Sequence, residues 1–290
     1  MLDSSFLPRR HRICKILGFV LVFIYIMTLK SLSLHPKFAG FLDVVVGLLF
    51  LFAIKRVSLW WVLLIYIVAR LILWMVLIRL VYYPQNLKRF WHLLTLAAFH
   101  LGTVILLLFV EWRPSWYLIS LVYVIFPVIS FWLLPAKSEG HMSFAMKPYR
   151  RWRFWMSTFG LFGLWSGTFA AVFLQILNIN YWFLLIGASL ITTAITMWWW
   201  KEYGVEKNSR LLWWTGCVGI FVLEIAWVMF RWPLGYFASA MILVWFWYDI
   251  WLLARFHLLP AGINWPKQIL FFITNGILLI AFLILIVKWK

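Results

Sequence analysis

The chain has 290 residues, of which 66% are hydrophobic and only 12% charged. Water-soluble domains run at about 45–50% apolar and about 25% charged, so a water-soluble core is excluded. Lys and Arg number 26 against 8 Asp and Glu, a formal net charge of +18. In a soluble chain that excess would suggest nucleic acid. Here the cations stand in short clusters beside apolar runs, where they report topology and meet anionic lipid headgroups. The expected partners are therefore membrane lipids with anionic headgroups, and no nucleic acid.

Apolar runs of about 20 residues recur along the whole length, as helices crossing a ~30 Å hydrocarbon layer require. The shorter alternating segments of a membrane β-barrel are absent. The fold class expected is all-α, a polytopic transmembrane bundle of about 9–10 helices, with residues 1–290 forming one integral membrane domain. No connecting segment is long enough to hold a core of its own.

In chain order, a basic tail (residues 1–12) ends in Arg9-Arg10-His11-Arg12 and leads into the first run, Ile13–Leu32. That run is longer than a signal-peptide core and no Ala-x-Ala site follows, so it reads as an uncleaved helix. The further runs are Phe38–Ile54, Val57–Tyr83, Trp91–Val110, Trp116–Leu134, Phe154–Leu177, Tyr181–Trp200, Leu211–Phe230, Leu234–Phe256 and Ile269–Val287. Pro or Asn marks most breaks, through ring clash with a lost N–H or through side-chain competition for the backbone. Pro127, inside Trp116–Leu134, is expected to kink its helix. Many of the 23 Trp flank the runs, as in Trp198-Trp199-Trp200 and Trp213-Trp214, and such rings are expected at headgroup depth.

The longest basic loop expected is 136–153, with Arg150, Arg151 and Arg153 as lipid-headgroup contacts. Cytoplasmic placement of both this cluster and Arg9–Arg12 conflicts with five crossings between them. Either Phe38–Ile54 is re-entrant or interfacial, or the N-terminus lies outside. A shift of about 119 positions aligns Pro114 with Pro233, Tyr117 with Tyr236, Ser120 with Ser239 and Trp132 with Trp251, a weak sign of repeated helical hairpins.

Few residues offer chemistry. In a hairpin turning at Lys55-Arg56, Asp43 lies about 12 residues before the turn and Arg70 about 14 after it, a depth difference of only ~3 Å. A structural ion pair is expected, since each charge alone in lipid is costly. Glu224 and Asp249 lie in adjacent runs about the turn Arg231-Trp232-Pro233, and differ in depth by ~13 Å, too far for a carboxylate dyad. They and His100 are the candidates for a ligand or proton site. His92 and His100 are too widely spaced for a metal pair, and no metal or cofactor motif is present. Cys14 and Cys217 supply neither a disulfide framework nor Cys-x-x-Cys. Gly163-Leu-Trp-Ser-Gly167 is a Gly-x-x-x-Gly pattern expected to pack helices closely.

Trp247-Tyr248-Asp249 followed by Trp265-Pro266-Lys267-Gln268 resembles the closing part of membrane lycopene cyclase domains. That family's pattern has paired acids after the Pro. Lys267 and Gln268 stand there instead, so the catalytic chemistry does not carry over. Three functional classes follow: a non-enzymatic membrane protein that binds a lipid-like ligand, a membrane enzyme on lipid or isoprenoid substrates, and a proton-coupled carrier using Glu224. Short loops and strong charge bias suit a prokaryotic inner membrane.

Overall fold

The structure, a computed structural model, describes residues 36–54, 65, 67–74, 76–77, 92–133, 146–175, 180–206, 208–232, 234–259, 262–263 and 265–285. The basic tail, the Ile13–Leu32 run and Cys14 lie outside these, as does most of Val57–Tyr83. Among the described residues the chain is all-helical and has no strand.

The helices are α1 (Pro36–Ile54), α2 (His92–Phe109), α3 (Arg113–Trp132), α4 (Met146–Phe173), α5 (Tyr181–Glu202), α6 (Ser209–Arg231), α7 (Tyr236–Leu258) and α8 (Trp265–Leu285). Residues 67–74 are also helical. Five of the helices, α3 to α7, are long and apolar enough to cross a membrane, and this is an integral membrane protein. Phe38–Ile54 falls within a single unbroken helix of 19 residues, with no turn for re-entry. α3 runs on continuously through Pro127. The basic residues expected in a loop from 136 to 153 stand instead on α4, which begins at Met146. The sequence reading stopped at the charges, but a charged first turn at the headgroup level simply extends an apolar helix outward.

The described residues divide into two compact units, one drawn from Met1–Leu93 and Val124–Tyr149, the other from Leu94–Tyr123 and Arg150–Lys290. The second unit holds the main core, in which α4, α5 and α7 bury Trp165, Trp199, Trp200, Trp247 and Trp251. Trp198–Trp200 are therefore core residues and not depth markers, whereas Trp213 is 77% exposed. Burial of indole is possible because hydroxyls on facing helices accept its N–H. Trp199 donates to Ser157 Oγ at 2.7 Å, Trp165 to Thr192 Oγ1 at 3.1 Å, and Trp247 to Thr196 Oγ1 at 2.8 Å. Each hydroxyl donates in turn to a carbonyl one turn back, on Phe154, Ala188 and Thr192 respectively. Trp200 donates directly to the Trp251 carbonyl at 3.1 Å.

Small residues bring α2 and α4 together. A Cβ on Gly160 would strike the Ala98 backbone, one on Gly163 the Gly102 backbone, and one on Gly167 the Ile105 side chain. Gly102, which no Gly-x-x-x-Gly pattern marked, meets the Gly160 carbonyl in the same way. Without a hydrophobic drive between helices in lipid, such backbone approach and its dispersion contacts hold the pair. α8 differs from all these. None of its described side chains is buried, and it reaches the core through partly buried Phe271, Leu279, Phe282 and Leu283.

The residues aligned by the weak repeat agree in environment only in part. Ser120 and Ser239 are both buried, but Trp132 is exposed where Trp251 is in the core.

Two substitutions test this packing by thermal unfolding in detergent. Gly160→Val should lower stability by about 2–4 kcal/mol through overpacking against backbone, while Gly187→Ala, where a Cβ meets nothing within 4 Å, should be near neutral. Ser157→Ala should cost about 1–3 kcal/mol by leaving the Trp199 N–H buried without an acceptor.

Candidate functional site

Within the first unit, Asp43 on α1 and Arg70 on the helical residues 67–74 come together. Arg70 Nη2 donates to Asp43 Oδ2 at 2.9 Å and Nε to Oδ1 at 3.3 Å, a two-pronged pair with both side chains fully buried. Trp74, one turn beyond Arg70, adds its N–H to Asp43 Oδ1 at 2.7 Å and stacks on Phe131 at 4.4 Å. Gly47, one turn beyond Asp43, leaves room for the guanidinium, since a Cβ there would lie 3.1 Å from Arg70 Nη2. Three donors on one carboxylate hold its charge in place. The carboxylate is enclosed and met by all three donors, and so suits a clamp more than a reaction centre.

The second unit offers a different arrangement. Arg150, Arg151 and Arg153 part company on α4, because successive residues on a helix point about 100° apart. Arg151 is exposed, Arg150 is half-buried, and Arg153 is buried inside. Arg153 donates to Thr95 Oγ1 at 3.4 Å and lies over the Trp198 ring at 5.0 Å, so it contacts protein and not headgroups. Arg255, in the last turn of α7, takes its place at the surface cluster. The Arg255 guanidinium lies 4.1 Å and that of Arg150 4.6 Å from the centre of the same Tyr203 ring. Tyr203 sits where it does because it caps the C-terminus of α5, its N–H bonding the Trp199 carbonyl. Trp251 meets Tyr203 edge-on at 5.5 Å.

No carboxylate lies within salt-bridge distance of Arg150 or Arg255 among the described residues. Arg150 Nη1 donates to the Glu202 carbonyl at 3.3 Å, a helix-end acceptor. Its Nε, the Nε of Arg255 and the Trp251 Nε1 are all buried donors lacking an acceptor. Two cations, and three N–H groups without an acceptor among the described residues, belong to side chains packed on one phenol ring, a concentration of positive charge suited to an anion.

The acids expected to carry chemistry are not gathered. Glu224 is exposed on α6 and makes no hydrogen bond or ion pair among the described residues. Tyr236, beyond the turn on α7, donates to the Phe109 carbonyl at 3.2 Å. Asp249 is half-buried on α7, with Oδ1 buried and unbonded, ~9 Å along the helix from Arg255. His100 is fully buried on α2, edge-on to Tyr123 at 5.5 Å and to Phe99 at 5.5 Å. No group of three His, Cys, Asp or Glu side chains that could hold a metal ion occurs among the described residues. Arg255 and Tyr203 were missed as site residues. The only sequence signal for them was their place at the ends of neighbouring helices on the same side as Arg150.

The ion pair is tested by thermal unfolding of three variants. Arg70→Met should cost about 3–5 kcal/mol by stranding the Asp43 charge, and Asp43→Asn a comparable amount. The double change Asp43→Leu/Arg70→Met should recover most of the loss. Equal and additive losses would dismiss the pair as a unit.

No protein-family model, curated protein or solved structure matches this chain, so its functional reading rests on its own geometry.

Proposed function

We infer that this chain is a non-enzymatic polytopic membrane protein that holds an anionic lipid headgroup between Arg150 and Arg255. The observation that carries the reading is the pair of guanidinium groups crowding the Tyr203 ring, neither with a carboxylate in salt-bridge distance among the described residues. Helix capping explains part of the arrangement, because Arg150 serves the end of α5 and Arg255 lies in the last turn of α7, where a cation is favoured. Capping leaves the two Nε–H groups and the Trp251 N–H unanswered. A phosphate suits donors of this kind, since its oxygens accept several charge-assisted bonds and guanidinium matches it in bidentate fashion.

Charge placement agrees with this use. The end of the second unit where α4 starts, α5 ends, α6 starts and α7 ends carries Arg150, Arg151, Lys201, Arg210 and Arg255. By the positive-inside rule that end faces the cytoplasm, whose leaflet is the anionic one. The short loops and this charge bias suit a prokaryotic inner membrane. The enzyme and carrier readings are less well supported, because Glu224 stands on the outside of α6 and, among the described residues, neither it nor Asp249 belongs to a group of three acids, His or Cys.

The test is lipid retention by the purified full chain, measured by native mass spectrometry with phosphatidylglycerol and phosphatidylcholine as probes. Phosphatidylglycerol should bind in preference. Arg150→Gln/Arg255→Gln should weaken that binding by roughly tenfold, equivalent to about 1–2 kcal/mol. Arg231→Gln, at the opposite end of α6, should leave it unchanged. Equal affinity of parent and double variant for phosphatidylglycerol would remove the assignment.

A further inference from the structure

α6 is the least buried of the five membrane-length helices. A stripe of exposed residues runs along it at steps of three and four: Trp213, Cys217, Ile220, Glu224, Trp227 and Arg231. Glu224 lies ~10 Å from the Arg231 end and ~22 Å from the Ser209 end of the helix, which sets it inside the hydrocarbon layer. A carboxyl facing acyl chains has no solvent to satisfy it, and such residues in membrane helices almost always face protein or a wet cavity. Among the described residues Glu224 is exposed and makes no hydrogen bond or ion pair. Arg231, the cation on the same stripe, lies over the Trp227 ring at 5.8 Å and makes no ion pair with it.

Two turns away, the same side of α6 carries a shallow notch of about 320 Å³ lined by Ser209, Leu212, Trp213, Gly216, Cys217 and Ile220. Gly216 opens onto free space, with nothing within 4 Å of a Cβ built there. Small residues at a lipid-facing notch allow another helix to approach closely.

We propose that this stripe is the interface of a two-fold homodimer, closed by a hydrogen bond between the Glu224 carboxyls of the two copies. The argument for a second copy is one of depth and complementarity. Copies inserted with the same orientation are related by an axis along the membrane normal, so every residue meets its equivalent at its own height. A carboxyl retaining its proton has one O–H donor and one carbonyl acceptor, so two of them complete each other. A different protein would need to bring a matching polar group to the same depth, while a second copy does so automatically. The notch at Gly216 and Cys217 brings the backbones close, and Trp213 and Trp227 supply the flanking dispersion contacts. The inference is independent of the headgroup reading, which concerns Arg150 and Arg255.

Cys217, exposed and two turns from Glu224 on the same stripe, provides the probe. The experiment uses the full chain carrying Cys14→Ser, oxidised in native membranes with copper phenanthroline and analysed without reductant. A covalent species of twice the chain mass is expected. Glu224→Gln, whose amide also pairs with itself, should keep it, and Glu224→Leu should reduce its yield roughly tenfold. A chain with Cys14→Ser, Cys217→Ser and Phe183→Cys moves the thiol to an exposed site on α5 and should give no dimer, separating an interface from collision. Absence of a dimer through Cys217, a yield indifferent to Glu224→Leu, cross-linking to a protein of another mass, or equal dimer from Phe183→Cys would each overturn the proposal. If Glu224→Leu fails to accumulate, the comparison of the Cys217 and Phe183→Cys chains decides alone.

Discussion

The indole N–H groups of Trp165, Trp199, Trp200 and Trp247, drawn into the interior of the second unit, each find an acceptor on a neighbouring helix, because acyl chains provide none. The core of the second unit is organised by that requirement. α5 presents Thr192 and Thr196 in successive turns, and each accepts a tryptophan from a different helix, Trp165 of α4 and Trp247 of α7. Trp199 closes the exchange in the other direction by donating to Ser157 on α4. Van der Waals attraction would tolerate some rotation of one helix against another. A directed bond at 2.7–3.1 Å does not, so these contacts fix which face α5 turns to each partner. The hydroxyls give the neutral network its economy, since each accepts from an indole and donates to its own helix in the same geometry.

The same demand acts with a full charge in the first unit. Asp43 could not remain buried on the strength of one partner, and it receives N–H groups from both Arg70 and Trp74. The two residues lie one turn apart on the same helical stretch, so a single element delivers both. Arg153 is a buried cation met, among the described residues, by a hydroxyl and the faces of two indole rings. Arg150 has a ring and a helix-end carbonyl, Arg255 has rings, and the Nε–H of each lacks an acceptor among the described residues, which is what distinguishes a site from a support.

Run lengths and Pro breaks made the helices legible in the sequence, since both follow from the thickness of a bilayer and from backbone chemistry. The nearness of Asp43 and Arg70 was also within reach, because two residues on a hairpin have computable depths. Rotation about each helix axis was not. A helix in water marks its inner face with apolar residues, but in lipid both faces are apolar and the periodic signal vanishes. Trp198–Trp200 therefore looked like headgroup anchors, and Arg153 looked no different from Arg151. The depth of Glu224 could be read but not the direction it faces, and it is exposed on α6. Gly102 escaped notice because its counterpart, Gly160, is on another helix, so the pattern exists only in space. Tyr203 and Arg255 fall outside any local motif for the same reason.

α8 rests against the core through the sides of a few apolar residues, among them Phe271, whose ring lies 6.3 Å from that of Tyr248. Its described hydrogen-bonding side chains, Thr274 and Asn275, serve carbonyls of their own helix. A segment so attached is retained at the bilayer by its own insertion and only lightly by its neighbours. Extraction into micelles removes the lateral confinement while leaving every interhelical bond of the tryptophan network in place. Solubilisation would therefore loosen the last helix first, and the choice of surfactant would govern how much of the native assembly survives outside the membrane.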